Sequence, residues 1–351
     1  MLKILRNCRF RIFIVNDETW EEHNKVGIAA INDPLTTHPS NRNANAARQS
    51  AIAEISGIRP DDILFFNKMK SAKHPPELIG IFKATSTPYF DNSPLFSGAK
   101  YVGNTLPFRV EFEQLYNLPS PINIDEIWEL KEKGKIWTLQ QTRGDAVGVH
   151  ACVGISKFEA MVIVRLLKAN NILSLPPKDY KAERKKVGLN KINKSPMPLD
   201  FKMDKKGCLH YEAVLQALLL EDFADGKHRE IFGDYDDFIP NVPTGSRKEI
   251  DILLLKYNGT DILWYQILEL KHHKFTMDEL QRLIAYEKWL IKTQAENPLQ
   301  VHPVAVAHEF DEEVIKFVRG RKDYLERPIR LIKYTFDDKS KLIKLEEVYG
   351  L

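Results

Sequence analysis

Apolar and polar residues alternate at a period of two over residues 106–112, apolar runs of strand length stand at 10–15, 62–66 and 78–84, and each stretch reads as a strand. Residues 44–55 and 156–169 instead carry the i, i+3, i+4 spacing of amphipathic helices. In the second of these, Phe158, Met161, Val162 and Leu166 form an apolar stripe beside Arg165, and Ser156 with Glu159 makes a capping box at its start. Strands interrupted by helices, with long polar loops at 32–43 and 86–105, predict a small barrel-like α+β module. From Pro176 to Lys206 the periodicity fails and prolines recur, which marks a seam. Beyond it the pattern predicts a helix (209–222), an irregular loop, two strands (249–257 and 261–272) and a helix (277–293). A short strand (303–307), a helix (311–318) and two late strands (329–336 and 341–348) follow. Asn258-Gly259 between two apolar runs is a hairpin signal. The chain therefore divides into a module at 1–175, a linker at 176–206 and a second module at 207–351.

Composition adds bounds. The 351 residues suffice for two cores, and 43% hydrophobic with 28% charged residues is ordinary for a soluble globular protein. A net charge of +3 names no partner, but residues 178–206 hold ten basic and four acidic side chains. That run is either a solvated linker or a basic strap that follows a phosphate backbone, with Lys185 and Lys186 as phosphate contacts. Cys8, Cys152 and Cys208 are too far apart for a CxxC zinc cluster and argue against a secreted disulfide scaffold. No apolar stretch approaches membrane-spanning length, and the charged start is too short for a signal peptide. A cytoplasmic location with no membrane partner is the expectation.

The chemistry concentrates in the second module. Glu212 falls in a helical run, Asp251 alternates with Leu253 and Leu255 in an apolar run, and Glu269 and Lys271 face the same way on the next strand. Buried carboxylates are costly unless paired, protonated or bound to a cation. Three of them beside a lysine suit a hard divalent metal and a phosphate; a magnesium ion needs only two or three protein oxygens. The lysine can orient or deprotonate an attacking water and stabilise charge on a phosphate. Register decides whether the site exists. A two-residue loop at Asn258-Gly259 puts Asp251 opposite Gln266, on the wrong face. The expectation is an odd loop, Asn258-Gly259-Thr260, or a bulge; with that loop Asp251 lies opposite Ile267, and Glu249 opposite Glu269 becomes a fourth carboxylate. The competing reading is two amphipathic strands whose acid and lysine pair at a sheet edge. No Walker loop, GxGxxG or HExxH is present.

This constellation resembles the PD-(D/E)XK, or restriction-endonuclease-like, nuclease superfamily over roughly residues 207–310. The resemblance implies a mixed sheet flanked by helices and a Mg²⁺-dependent phosphodiester hydrolase, with Mn²⁺ able to substitute. It implies that Asp251, Glu269, Glu212 and the Leu270 carbonyl hold the metal and that Lys271 serves the attacking water. Gln281 stands for the glutamine that many members carry on the following helix, although its spacing to Tyr286 is one longer than Q-x-x-x-Y. Ile250, and not proline, precedes the aspartate.

In the first module, Asp61-Asp-Ile-Leu-Phe-Phe66, Leu78-Ile-Gly-Ile-Phe-Lys83 and Leu106-Pro-Phe-Arg-Val-Glu-Phe112 are similar in order and pattern to EVE and YTH domains of the PUA-like class. That likeness implies a pseudo-barrel that takes a flipped, modified base into an aromatic cage. Tyr101 stands near the position of a cage aromatic; Gly27-Ile-Ala29 stands where YTH domains have a tryptophan, leaving Trp20, Tyr89, Phe90 and Trp137 as substitutes. Arg109 is a candidate phosphate contact, with an ion pair as the alternative. For each aromatic, core packing is the competing reading, and for Phe65 and Phe66 in a strand one is expected to face in and the other out.

Together these features predict an α+β / α/β chain of two domains that reads a modified base in double-stranded DNA and cuts nearby, as a modification-dependent restriction endonuclease does. A double-strand cut needs two active sites and hence a homodimer. The rivals are a non-catalytic DNA- or RNA-binding protein on a degenerate nuclease scaffold, and a structure-specific repair nuclease.

Overall fold

The computed structural model describes residues 8–37, 40–94, 105–139, 150–172, 192–244, 248–259, 261–325 and 328–349, with only the backbone for 322–325. The described residues gather into two compact units that divide at Pro198 and Leu199. The fold is mixed α+β with two sheets, one curled as a half-barrel.

The first unit is built on strands β1 (Phe10–Val15), β2 (Ile28–Ile31), β3 (Ile63–Lys68), β4 (Glu77–Ala84), β5 (Tyr89–Phe90), β6 (Phe108–Gln114), β7 (Ile122–Asn123) and β8 (Cys152–Ile155). Their order is β2-β6-β4-β3-β1-β8, with β5 on β6 and β7 on β4; β1 and β3 run parallel and the other pairs antiparallel. Helices α1 (Asp17–Val26), α2 (Pro34–Thr37), α3 (Ala44–Ser56), α4 (Ile124–Glu132) and α5 (Lys157–Ala169) complete it. Phe65 and Phe66 alternate between the two faces of the sheet, but both are fully buried, so neither faces out as expected. Phe65 belongs to the cluster beneath α4 and α5, whereas Phe66 packs against Trp20, Phe82 and Phe112 on the other face. The capping box of Ser156 and Glu159 forms as expected, and the same buried Glu159 accepts from the Thr138 amide at 2.7 Å.

Residues read as linker are packed where they are described. Ile192 lies against Val26, Ile28, Ala30 and Leu106, and Ser195 exchanges backbone hydrogen bonds with Phe90. Leu199 and Phe201 pack on the core of the second unit. Lys185 and Lys186 lie outside the described residues.

The second unit contains α6 (Glu212–Ala224), α7 (Arg229–Phe232), β9 (Asp237–Pro243), β10 (Glu249–Asn258), β11 (Asp261–Phe275), α8 (Met277–Thr293), β12 (Val301–Phe310), α9 (Glu312–Leu325), β13 (Arg330–Asp337) and β14 (Leu342–Tyr349). The sheet order is β14-β13-β12-β11-β10-β9. The pairs β11/β12 and β12/β13, joined through α8 and α9, are parallel, and the rest are antiparallel. Parallel neighbours need such crossovers, while Asn258 and Asp261 close a hairpin. One face of β10 and β11 (Ile252, Leu254, Leu268, Leu270) packs under α6 with Leu215, Leu218 and Leu219. The alternate residues of the same strands, Asp251 and Glu269 among them, therefore project from the other face.

Candidate active site and base cavity

The hairpin register decides the site. Asn258 pairs with Asp261, but between Tyr257↔Ile262 and Lys256↔Trp264 one residue, Leu263, is extra. This bulge supplies the odd step that the sequence required, and with it Leu253 pairs with Ile267 and Ile252 with Leu268. One further step sets Asp251 opposite Glu269. That corrects the expected partner: Asp251 does not face Ile267, and Glu249 moves two residues beyond Glu269. Glu249 pairs instead with Pro243 on β9.

Around Asp251 the ladder opens. On the β9 side its opposite number, Asn241, is turned to φ 53°, a left-handed conformation that asparagine tolerates better than most residues. The Asp251 carbonyl is taken by Gln216 Nε2 at 2.8 Å, and Gln216 also donates to Asn241 Oδ1 at 2.9 Å. The Asp251 carboxylate accepts the Leu270 backbone N–H at 2.6 Å. Gln216, one turn after Glu212 on α6, thus fixes the strand that carries Asp251. Sequence reading missed it, because a glutamine on a leucine-rich helix carries no signal by itself.

Lys271 lies at the centre. Its ammonium donates to Glu212 Oε2 at 2.8 Å and to the Leu270 carbonyl at 2.6 Å, and stands 3.7 Å from Glu269 Oε1. The β11/β12 register slips directly after it, at His272 and His273. Glu212 is the first residue of α6. His272 Nδ1 is 3.9 Å from Glu212 Oε2, an electrostatic neighbour beyond hydrogen-bond length. Glu269, 1% exposed, accepts from Arg282 Nη1 at 3.1 Å through Oε1, while its Oε2 has no hydrogen-bond partner among the described residues.

Burial and mutual repulsion set the charges. Burial pushes Glu269 up to about 7, against the pull of Lys271 and Arg282. Asp251 is held well above the usual carboxylate range by burial and then by Glu269 and Glu212. Burial also works against Glu212, but His272 and Lys271 outweigh it and its pKa is lowered. Lys271 is raised despite burial, because Asp251, Glu212 and Glu269 surround it.

Gln281 is exposed and outside this cluster; Arg282 takes its place. The signal was the spacing, since Arg282-x-x-x-Tyr286 has the interval that Gln281 lacks. The Leu270 carbonyl, expected as a metal ligand, is occupied by the Lys271 ammonium. Among the described residues no group of three or more His, Cys, Asp or Glu side chains stands ready to hold a metal ion. The donors nonetheless fit one in kind. They are hard carboxylate oxygens, one of them a buried orphan, in a set of three acids against two cations, Lys271 and Arg282.

In the first unit the expected aromatic cage does not assemble. Trp20 packs on Phe66 and Phe82, Phe90 packs on Phe108, and Tyr89 is buried under Lys194. Trp137 is half-buried, its backbone N–H donating to Glu159. Tyr101 lies outside the described residues. Arg109 is fully buried, bonded to Asp91 at 2.6 Å and to the carbonyls of Leu106, Ser93 and Thr105, so it is not a phosphate contact. Removing one member of such a buried pair leaves the other uncompensated, and Arg109→Ala is expected to destabilise the protein by about 3–5 kcal/mol, measured by urea unfolding.

A cavity of about 150 Å³ opens instead between the ends of β1 and β2, lined by Asn16, Thr19, His23, Asn32 and Ala151 among others. Burial lowers His23 to about 3, so its imidazole is neutral at ordinary pH. Glu54 secures the far wall by accepting from the Ala151 and Cys152 amides at 2.9 and 3.0 Å. No single stretch of sequence announces this cavity, because its walls come from segments far apart in the chain.

No helix among the described residues is long and apolar enough to cross a membrane. No protein-family model matches the chain, and no curated protein matches it. A solved hypothetical protein from Leishmania major is similar to 46% of this chain over 96% of its own, at 13% identity and a TM-score of 0.34. A Pseudomonas putida protein is similar to 45% of this chain over 99% of its own, at 15% identity and a TM-score of 0.30. The MspJI restriction endonuclease, solved in complex with a 27-mer oligonucleotide, spans 88% of this chain and 68% of its own, at 10% identity and a TM-score of 0.19. At TM-scores of 0.34 and below, these likenesses assign this chain to no family.

Proposed function

We propose that the chain is a metal-dependent DNA endonuclease of the modification-dependent restriction type, with a PUA-like reader ahead of a restriction-endonuclease-like catalytic unit. The observation that carries this reading is the convergence of Lys271 with Glu212, Asp251 and Glu269, which three separate elements supply and a bulge brings into register. Asp251 and Glu269, with Glu212 beside them, would hold Mg²⁺ or Mn²⁺. The bound ion would lower the pKa of water and neutralise charge on the phosphate. Lys271 is kept as an ammonium by its carboxylate neighbours, so its part is to position water and offset developing negative charge, and it does not act as a base. Glu212 and the Leu270 carbonyl orient that ammonium, and Gln216 holds Asp251 in place.

The cavity beside Asn16 and His23 would admit a flipped base. An engineered apolar cavity of about 150 Å³ accepts benzene, so the volume suits one aromatic ring. Filling it with Ala151→Leu is expected to remove discrimination between modified and unmodified DNA while sparing cleavage at high enzyme concentration. Parallel digests of the two substrates measure this. The whole reading is tested by incubating the protein with Mg²⁺ or Mn²⁺ and plasmids bearing defined base modifications, then mapping the cuts. Cuts near one modification support it, and a dimer in solution during double-strand cutting would complete the picture. A second reading, a non-catalytic nucleic-acid binder, is favoured by the lack of a ready three-ligand group among the described residues. Binding with no cleavage under any metal would select it.

A further inference from the structure

We propose that Arg282 is a displaceable counter-ion: it pairs with Glu269 while no divalent cation is bound and moves to a backbone phosphate when one is. The inference rests on the nuclease reading of the site. Two cations neighbour Glu269, and they are held very differently. Lys271 is 7% exposed and bonded to both Glu212 and the Leu270 carbonyl, so its departure would strand a carboxylate and a carbonyl together. Arg282 makes one hydrogen bond among the described residues, from Nη1 to Glu269 Oε1 at 3.1 Å, and its side chain is 34% exposed. It reaches in from the second turn of α8, whose start is fixed by the capping box of Thr276 and Glu279.

A divalent cation entering beside Glu269 Oε2, the buried oxygen that has no hydrogen bond, adds two positive charges to a site that already holds two. Four positive charges would then face three carboxylates, and of the two resident cations the one that is a third exposed is cheaper to release than the buried one. A guanidinium tied down through a single nitrogen keeps its remaining N–H donors, and their fork matches the oxygens of a phosphate. Release would place that fork at the edge of the site, where the nucleic-acid backbone must lie for its phosphate to reach Lys271. Metal and DNA would thereby be coupled: the ion frees the residue that grips the substrate.

The test uses the full chain with Arg282→Gln and Arg282→Lys, both checked by thermal melting. Titration calorimetry follows Mn²⁺, and fluorescence anisotropy follows an unmodified duplex oligonucleotide in Ca²⁺ over a range of salt. Arg282→Gln is expected to bind Mn²⁺ about tenfold tighter, an ordinary coupling between competing ligands. Its log affinity for the duplex against log salt should lose about one unit of slope, the mark of one phosphate contact. Arg282→Lys keeps the charge and should restore the wild-type slope. Unchanged or weaker Mn²⁺ binding by Arg282→Gln overturns the counter-ion role, and an unchanged salt slope overturns the phosphate role. A wild type that binds no Mn²⁺ removes the nuclease reading itself. A wild type that binds Mn²⁺ and cuts, with Arg282→Gln equal to it in both titrations, overturns this inference alone.

Discussion

Lys271→Ala is expected to lower metal-dependent cleavage of DNA by roughly a thousandfold or more while leaving affinity for the duplex nearly unchanged. The expectation follows from where the ammonium sits. It is almost wholly buried and committed to Glu212, Glu269 and the Leu270 carbonyl, so it contributes little to ground-state binding of a backbone. A charge preorganised at that depth acts on whatever negative charge develops during the reaction, which is where removal hurts most. Its loss also leaves three carboxylates facing one another, so thermal melting must accompany the assay, with Lys271→Gln as the variant that keeps a hydrogen-bond donor. Single-turnover cleavage with plasmid and Mg²⁺ gives the rate, and anisotropy in Ca²⁺ gives the affinity. Wild-type cleavage by Lys271→Ala would remove the lysine from the chemistry and with it the main support for hydrolysis.

Legibility from sequence followed the physics of each element. The hairpin of β10 and β11 was readable because long apolar runs flank an Asn-Gly turn, and the need to bring Asp251 and Glu269 to one face demanded an odd step. Which irregularity would supply it was not readable. A three-residue loop and a bulge satisfy the same parity, and Leu263 was free to be the extra residue because it lies exposed at the hairpin end. Strand β9 falls within the expected irregular loop, and its Pro240 and Pro243 are residues that argue against a strand. It survives as the edge of its sheet, where a proline's missing donor can face away from the ladder. The short strand β2 was passed over because all four of its residues are buried, which erases alternation. Arg109 looked like a phosphate contact because sequence shows charge but not depth, and only the fold reveals Asp91 waiting beside it. Arg282 was overlooked for its neighbour Gln281 because residue type outweighed spacing, yet on a helix one position turns a side chain by about 100° and decides whether it reaches the site.

Glu269→Gln is expected to do two opposite things: stabilise the metal-free protein above neutral pH and abolish metal-dependent cleavage. In the folded chain Glu269 is pushed up to about 7, while in the unfolded chain it titrates near the ordinary glutamate value of about 4.3. Between those values the folded state holds a proton that the unfolded state has released, so stability falls as pH rises through the window and levels off above it. The full cost above the window is roughly 4 kcal/mol at most. Glutamine cannot ionise, and its side-chain oxygen can still accept from Arg282, so the variant escapes that cost. In EDTA at about pH 8 its melting temperature should exceed that of the wild type by several degrees, and at about pH 4 the two should converge. Adding Mn²⁺ should reverse the order, because a cation that binds only the folded wild type stabilises it by mass action, whereas the variant has lost a charged ligand. Cleavage should drop by roughly a thousandfold or more, since an uncharged amide is a poor donor to a hard cation. A variant less stable than the wild type in EDTA at about pH 8 would mean that Lys271 and Arg282 already compensate the carboxylate in full. The strain expected of a site waiting for its ion would then be absent. That strain is what a stability–activity trade-off looks like at the level of one side chain: the buried charge weakens the empty protein because its function is to meet a cation.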